Sequence, residues 1–338
     1  MIRALLAQRR APLTAPRLAL VTGLLLFLLL ALCLIAVSTG TVSLPVTKVL
    51  GILTGTGEST EAERLIILGV RLPRILLALC VGSGLSVAGL VFQALLRNPL
   101  AEPYILGISS GGTVGTLLAL ALALGTVGTS ALSFAGSGLV MLLVYSIAQR
   151  RGQMDTSTLL LAGVMIGAFF NAVVLLMIAL LHQELRNAFL WLMGNLGNAN
   201  PGAVELVAPL LLIATAVLFS QARNYNLIAT GDEGALQLGV NVRAVKRLSY
   251  IIGSFLTGVV VSVSGVVGFV GLIIPHICRM LFGPDHRILL PASFLLGASF
   301  LVLADLLSRT LLAPVEIPVG AVTAAIGAPV FIYLLRKS

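Results

Sequence analysis

Apolar runs of about the length needed to cross a bilayer recur along this chain from one end to the other, and no other feature limits its fold so tightly. Backbone surrounded by lipid must satisfy its own hydrogen bonds, so a series of such runs becomes a set of packed helices. Composition agrees: of 338 residues 58% are hydrophobic and 10% charged, where a soluble domain carries about a quarter charged residues. The 35 glycines suit helices that approach one another through small residues. The expected fold class is all-α, a polytopic membrane protein of about ten transmembrane helices, with residues 1–338 forming a single transmembrane domain.

The first run, Leu18 to Val37, follows Arg3, Arg9, Arg10 and Arg17. It exceeds the roughly 7–15 residues of a signal-peptide core and is therefore read as a retained first helix. Ser38 to Val70 is the longest polar loop, with a short surface helix expected over Pro45 to Leu53. The second crossing is Ile75 to Leu96. It ends on Arg97-Asn98-Pro99-Leu100-Ala101-Glu102-Pro103, an elbow no helix can run through, because both prolines lack an N–H and push Asn98 and Glu102 towards extended geometry. Further crossings are expected over Ser110–Val127, Ala131–Ala148, Thr158–Leu181, Val204–Phe219, Leu248–Ser264, Leu289–Ser308 and Ile317–Leu335. A short eighth one, Val266–Phe282, is interrupted by Pro275. Its loss would flip the last two.

Ten crossings put both termini on one side. Segments on that side hold 15 of the 21 Lys and Arg residues, an asymmetry that predicts cytoplasmic termini, with 1–17 as a cytoplasmic N-terminus. The net charge of +9 is thus a matter of loop orientation, not nucleic-acid binding. Arg71 then faces outward and the Asn98 elbow inward.

Enzymatic signatures are missing. No lysine completes a P-loop, His182, His276 and His286 form no HExxH, and no GxSxG occurs. Gly82, Gly84 and Gly89 lack dinucleotide-binding spacing. Cys33, Cys80 and Cys278 fall in or beside apolar segments and read as packing residues, with no metal site. Asp305 and Arg309 stand four apart in the favourable order for a helical ion pair, and an ionisable pair in a membrane helix also marks a functional position.

Arg71-Leu72-Pro73-Arg74, GSGLSVAGLVFQ from Gly82, Arg97 to Pro103 and LGISSGG from Leu106 together resemble the FecCD-type permeases of binding-protein-dependent importers. So do Thr158 to Gly163, Leu190 to Gly194, Gly265 to His276, Asp285 to Arg287, Leu303 to Asp305 and Ile317 to Gly320. The likeness covers nearly all of the chain after the first helix. Members carry ferric siderophores, haem or cobalamin.

The resemblance implies a type II ABC importer permease fold in the cytoplasmic membrane of a bacterium or archaeon. It implies a second permease subunit, identical or paralogous, two ATP-binding subunits and a solute-binding protein. The chain itself would then be no enzyme and carry no cofactor, with ATP and Mg in the partner subunits. The loop 226–247 would couple to the ATPase through Leu227, Asp232, Glu233, Leu236, Leu238 and Gly239, as two short helices parted by Gly239 with Asp232 capping the first. The plainer reading is a solvated loop. Arg71, Arg74 and Arg309 would receive acids of the solute-binding protein, since guanidinium binds carboxylate through paired hydrogen bonds. Locally, Arg71 could instead answer Glu63, and Arg309 Asp305. Thr156, Ser157, Asn98 and Leu100 would form the cytoplasmic gate, although capping by Asp155 or Thr156 also explains that segment. Gly163, Gly167, Phe170 and Asn171 would lie along the translocation path, with Phe169 and Met177 as further candidates. Gly163 and Gly167 also have the spacing of a close helix contact. A ferric siderophore leads as substrate. The competing class is an ATP-independent channel or secondary carrier, against which stands the lack of paired acids for a proton relay.

Overall fold

In the computed structural model, residues 13–40, 42–150, 153–180, 185–197, 199 and 201–337 are described. Helix α1 covers Ala15–Ser38 and the short α2 covers Val46–Thr54. Then comes α3, Glu61–Leu96, which is the axis of the molecule. Its start is set by a capping box: Thr60 Oγ1 accepts from Glu63 N at 3.3 Å and Glu63 Oε2 accepts from Thr60 N at 3.0 Å. The apolar pattern had suggested a helix start near Ile75, after a polar loop. In fact Arg71 and Arg74 lie on the helix. The turn Leu65–Arg71 widens to π geometry just before Pro73, whose nitrogen cannot join the ladder.

The remaining helices are α4 Ile108–Ala121, α5 Gly125–Ala148, α6 Thr156–Leu180, α7 Leu185–Leu192, α8 Pro201–Ser220, α9 Ala222–Ile228, α10 Asp232–Gln237, α11 Val242–Ser264, α12 Val270–Phe282, α13 His286–Thr310 and α14 Val319–Lys337. Among the described residues, seven helices are long and apolar enough to cross a membrane, and α4, α12 and α14 are shorter apolar helices. Together they account for the ten expected crossings. A two-residue antiparallel pair, Gln149–Arg150 with Gln153–Met154, closes the α5–α6 turn.

Helix α3 is buried over 89% of its most apolar window, which is possible because its neighbours come in at backbone distance. A Cβ added at Gly82 would lie 2.3 Å from the Gly297 carbonyl oxygen on α13, and one at Gly89 2.0 Å from that of Gly271 on α12. Neither position tolerates a side chain. By contrast α1, α5, α6 and α8 form an outer layer that leaves much apolar surface uncovered, including Phe27, Leu142, Leu175 and Ile213. Apolar residues that a soluble fold would bury face lipid or a partner here.

Candidate functional site

The two ends of α3 carry the two predicted groups of residues. At the Arg71 end, one fully buried carboxylate organises the cluster. Asp305, near the end of α13, accepts from Arg74 Nε at 2.8 Å and contacts Arg309 Nε at 3.0 Å, one helical turn further on. Arg74 also donates through Nη1 to Glu316 Oε2 at 2.8 Å. Arg309 Nη2 donates to the Ala36 carbonyl at 3.3 Å. Arg71 makes no pair with Glu63, which is taken by Lys48 at 2.5 Å. Its Nη1 donates to Val37 O at 2.6 Å and its Nη2 to Val42 O, so it clasps the last turn of α1 to the backbone beyond it. All three guanidiniums are buried. Glu316 carries no sequence signal, because nothing local marks a lone acid in a Pro-rich loop as the partner of an arginine more than two hundred positions earlier.

The Asn98 end is built differently. Arg97 takes left-handed geometry at φ 48° to stop α3, and Asn98 Oδ1 accepts from Leu100 N at 2.9 Å to shape the turn. Leu100 is 45% exposed. The segment then runs through a single 3₁₀ turn, Pro103–Leu106, into α4. At the head of α6, Asp155 Oδ2 accepts from Thr158 N at 2.7 Å, so Asp155 is the cap, and Thr156 and Ser157 are left half-buried and exposed.

Gly163 and Gly167 are where α6 receives this elbow. A Cβ on Gly163 would lie 2.8 Å from Leu106 Cα, and one on Gly167 3.2 Å from Gly107 Cα. These two glycines face the elbow and serve contact, not an open wall. Phe170 is half-buried against the core, while Asn171 and Phe169 are exposed. The elbow also grips the segment before α12: Glu102 Oε1 accepts from Phe269 N at 2.8 Å, and Tyr104 Oη accepts from Val267 N at 3.0 Å. Sequence reasoning missed this brace. Only the left-handed Phe269, at φ 69°, shows how unusual the gripped segment is.

The predicted coupling loop lies between α8 and α11. Its helices are α9 and α10. What the sequence suggested as a second short helix after Gly239 is the beginning of α11, capped by Asn241 Oδ1 on Ala244 N at 3.1 Å. Gly239 does part the two, at φ 83°. Asp232 makes no capping hydrogen bond, because Gly231 holds the cap position. Its carboxylate instead meets Lys246 Nζ at 2.5 Å and ties α10 to α11. Glu233, Leu236 and Leu238 are exposed, whereas Leu227 packs partly against the core.

Helix α9 is bolted to the start of α13. Asn226 Nδ2 donates to Asp285 Oδ1 at 2.7 Å, and its Oδ1 accepts from His286 N at 2.8 Å. Burial opposes ionisation of Asp285, yet hydrogen bonds from Arg287 and Asn226 outweigh it and hold the carboxyl down at about 2. Helix α13 therefore carries the coupling loop at one end and the Asp305 cluster at the other.

The profile of the FecCD transport family matches residues 28–337. The chain belongs to that family. It is 42% identical to the hemin transport system permease protein HmuU of Yersinia pestis, over 95% of this chain and 96% of that one. It is 43% identical to the cobalamin import system permease protein BtuC of Halobacterium salinarum, over 82% of this chain and 74% of the relative. A solved inward-facing structure of a metal-chelate type ABC transporter superposes with a TM-score of 0.84 at 32% identity, covering 94% of this chain and 99% of the other. The expected all-helical importer permease is thereby met, and the chain is a multi-pass protein of the cell membrane.

Proposed function

We propose that this FecCD-family permease pairs with a second permease subunit and moves a metal chelate inward along their interface, driven by two ATP-binding subunits. The observation that carries this reading is α13, which joins the candidate coupling loop to the Asp305 cluster through a single helix. Exposed Leu236 and Leu238 on α10 offer the ATPase an apolar grip, and Asn226 passes its movement to Asp285 and His286. Both termini and the Asn98 elbow would be cytoplasmic, where Thr156, Ser157, Asn98 and Leu100 form a small, uncharged gate.

On the outer side, Arg71 is the proposed point of contact for the solute-binding protein. An acid of that protein would displace the Val42 carbonyl from Nη2, a neutral acceptor given up for a charged one. Arg74 and Arg309 are held by Asp305 and shape the surrounding loops. The substrate class is a metal chelate. A ferric siderophore leads, and the haemin and cobalamin permeases among the relatives are the reason those two ligands stand beside it.

Arg71→Glu tests the outer contact. We expect at least a ten-fold loss of import and of binding-protein affinity in proteoliposomes, with the permease still dimeric by size-exclusion chromatography. Unchanged docking would remove Arg71 from this role. The substrate is identified by measuring which of a ferric hydroxamate, haemin and cobalamin the cognate binding protein retains.

A further inference from the structure

Where the Gln149–Met154 turn meets the first turns of α11, a pocket of about 240 Å³ opens. It lies at the coupling-loop end of the molecule, since α11 follows α10 and is tied to it by Lys246 and Asp232. Arg243 and Arg247, one helical turn apart on α11, line it together with Tyr145, Gln149 and Asn241. Its described lining contains no Asp or Glu.

Among the described residues neither guanidinium makes a hydrogen bond or an ion pair. The acids of this end are committed elsewhere: Asp232 to Lys246, Asp285 to Arg287 at 2.6 Å, and Asp155 to the first turn of α6 through Thr158 N. Asn241 spends its Oδ1 on Ala244 N, which leaves its amide N–H groups to the pocket. Two exposed positive charges and amide donors therefore stand beside only the neutral oxygens of Tyr145 and Gln149. Such a set repels a cation, and an uncharged ligand leaves both charges unanswered. A phosphate, with several oxygens that each accept from guanidinium, matches it.

The pocket has an apolar continuation. Ile251 and Phe255 follow Arg247 at four-residue steps on one face of α11, and Leu142 stands two turns before Gln149 on α5. Leu142 and Ile251 are exposed. Between the helices the Tyr145 ring stacks on Tyr250 with centroids 5.8 Å apart, and deeper in Phe255 meets Phe134 edge-on at 5.7 Å. An acidic side chain of a soluble partner would use the arginines and leave this strip bare. A lipid uses both, its phosphate at the arginines and its chain against Leu142 and Ile251.

We propose that this pocket is a binding site for the phosphate head group of an anionic membrane lipid, held by Arg243 and Arg247 with its chain along the α5–α11 groove. The full-length permease, stripped of lipid in detergent, would be titrated with equal amounts of dioleoyl phosphatidylglycerol and dioleoyl phosphatidylcholine and read by native mass spectrometry. One phosphatidylglycerol held per chain, about ten-fold more tightly than phosphatidylcholine, is the expected result. Arg243→Gln with Arg247→Gln should erase that preference, with an unchanged size-exclusion profile. Arg223→Gln, which removes an exposed arginine of α9 outside the pocket, should leave it intact. Equal retention of both lipids, or an equal loss with Arg223→Gln, would reduce the effect to diffuse surface charge and overturn the proposal. Full competition by soluble glycerol phosphate would overturn it too, since the occupant would then be a free phosphate. So would a double variant that keeps its lipid but no longer holds the ATP-binding subunit, because the arginines would then serve a protein contact.

Discussion

At the Arg71 end of α3, three guanidiniums and the fully buried Asp305 are drawn out of solvent: Asp305 accepts from Arg74 and is ion-paired with Arg309, and the carbonyls of Ala36, Val37 and Val42 receive Arg309 and Arg71. At the Asn98 end the turn keeps itself in shape with one side-chain hydrogen bond, and Leu100 stands in the open. The first arrangement is costly to disturb piecemeal, because freeing any one charge strands another in a low-dielectric interior. The second has little to lose by rearranging only over Asn98 to Leu100, since Glu102 and Tyr104 anchor its far side to the segment before α12. A transporter that must hold its receiving face while opening its releasing face is served by this division. Under the proposed gating, the rigid end would move as a block with α3 and α13 while the loose end switched.

The largest effect should come from breaking the rigid end. Asp305→Ala leaves Arg74 and Arg309 buried without their shared acid, and we expect a loss of about 3–5 kcal/mol. The measurement is thermal unfolding of detergent-solubilised protein. Arg74→Met, Arg309→Met and Asp305→Leu combined should recover much of that stability, because the buried charges that share Asp305 are then removed together. No gain over the single variant would mean the cluster is weaker than its burial implies.

Next is the brace between the elbow and α6. Gly163→Leu must push the Leu106 backbone away from a helix face that has no room even for a Cβ, and overpacking of this kind costs about 1–3 kcal/mol. If the elbow is part of the gate, the same variant should raise ATPase activity in the absence of substrate while import falls. A stability loss with coupling intact would make Gly163 and Gly167 mere packing residues.

Asn98→Ala is the milder probe of the loose end. It removes a single hydrogen bond in a half-exposed turn, worth about 0.5–1.5 kcal/mol. Stability should hardly change. Leak of chelate from loaded proteoliposomes should rise several-fold, and a tight vesicle would argue that Asn98 is a turn former only.

These contrasts were unequally visible in the sequence. The crossings were legible from apolar run lengths, and the stop at Asn98 from two prolines whose chemistry is local. The start of α3 lies well ahead of its apolar run, at a capping box of Thr60 and Glu63. The charged residues between Glu61 and Arg64 suggested a loop, while the apolar turn behind them carried the helix on. Asp305 and Arg309 could be paired because they share a helix face. Glu316, Asn226 and Glu102 could not, since their partners lie far off in the chain and only the packing of α3 against α12 and α13 brings them near.

The smallest expected effect concerns the joint between the two regions, where α9 meets α13. The Asp285 carboxyl is held at about 2, against about 3.9 for an unrestrained aspartate. A depressed folded-state value means that the charged form is favoured by the fold. Its contribution is present above about pH 4 and drains away as pH falls towards 2. The carboxylate is partly solvent-exposed, so screening keeps this contribution below about 1 kcal/mol. Asp285→Asn should therefore lower the unfolding temperature by one or two degrees at neutral pH, with the difference shrinking as pH falls through 2, where the wild-type carboxylate is itself being protonated. Retention of the difference at the lowest pH would show that Asp285 acts through shape, as the cap of α13 and partner of Asn226. Transmission from the coupling loop would then depend on the hydrogen-bond frame and not on its charge.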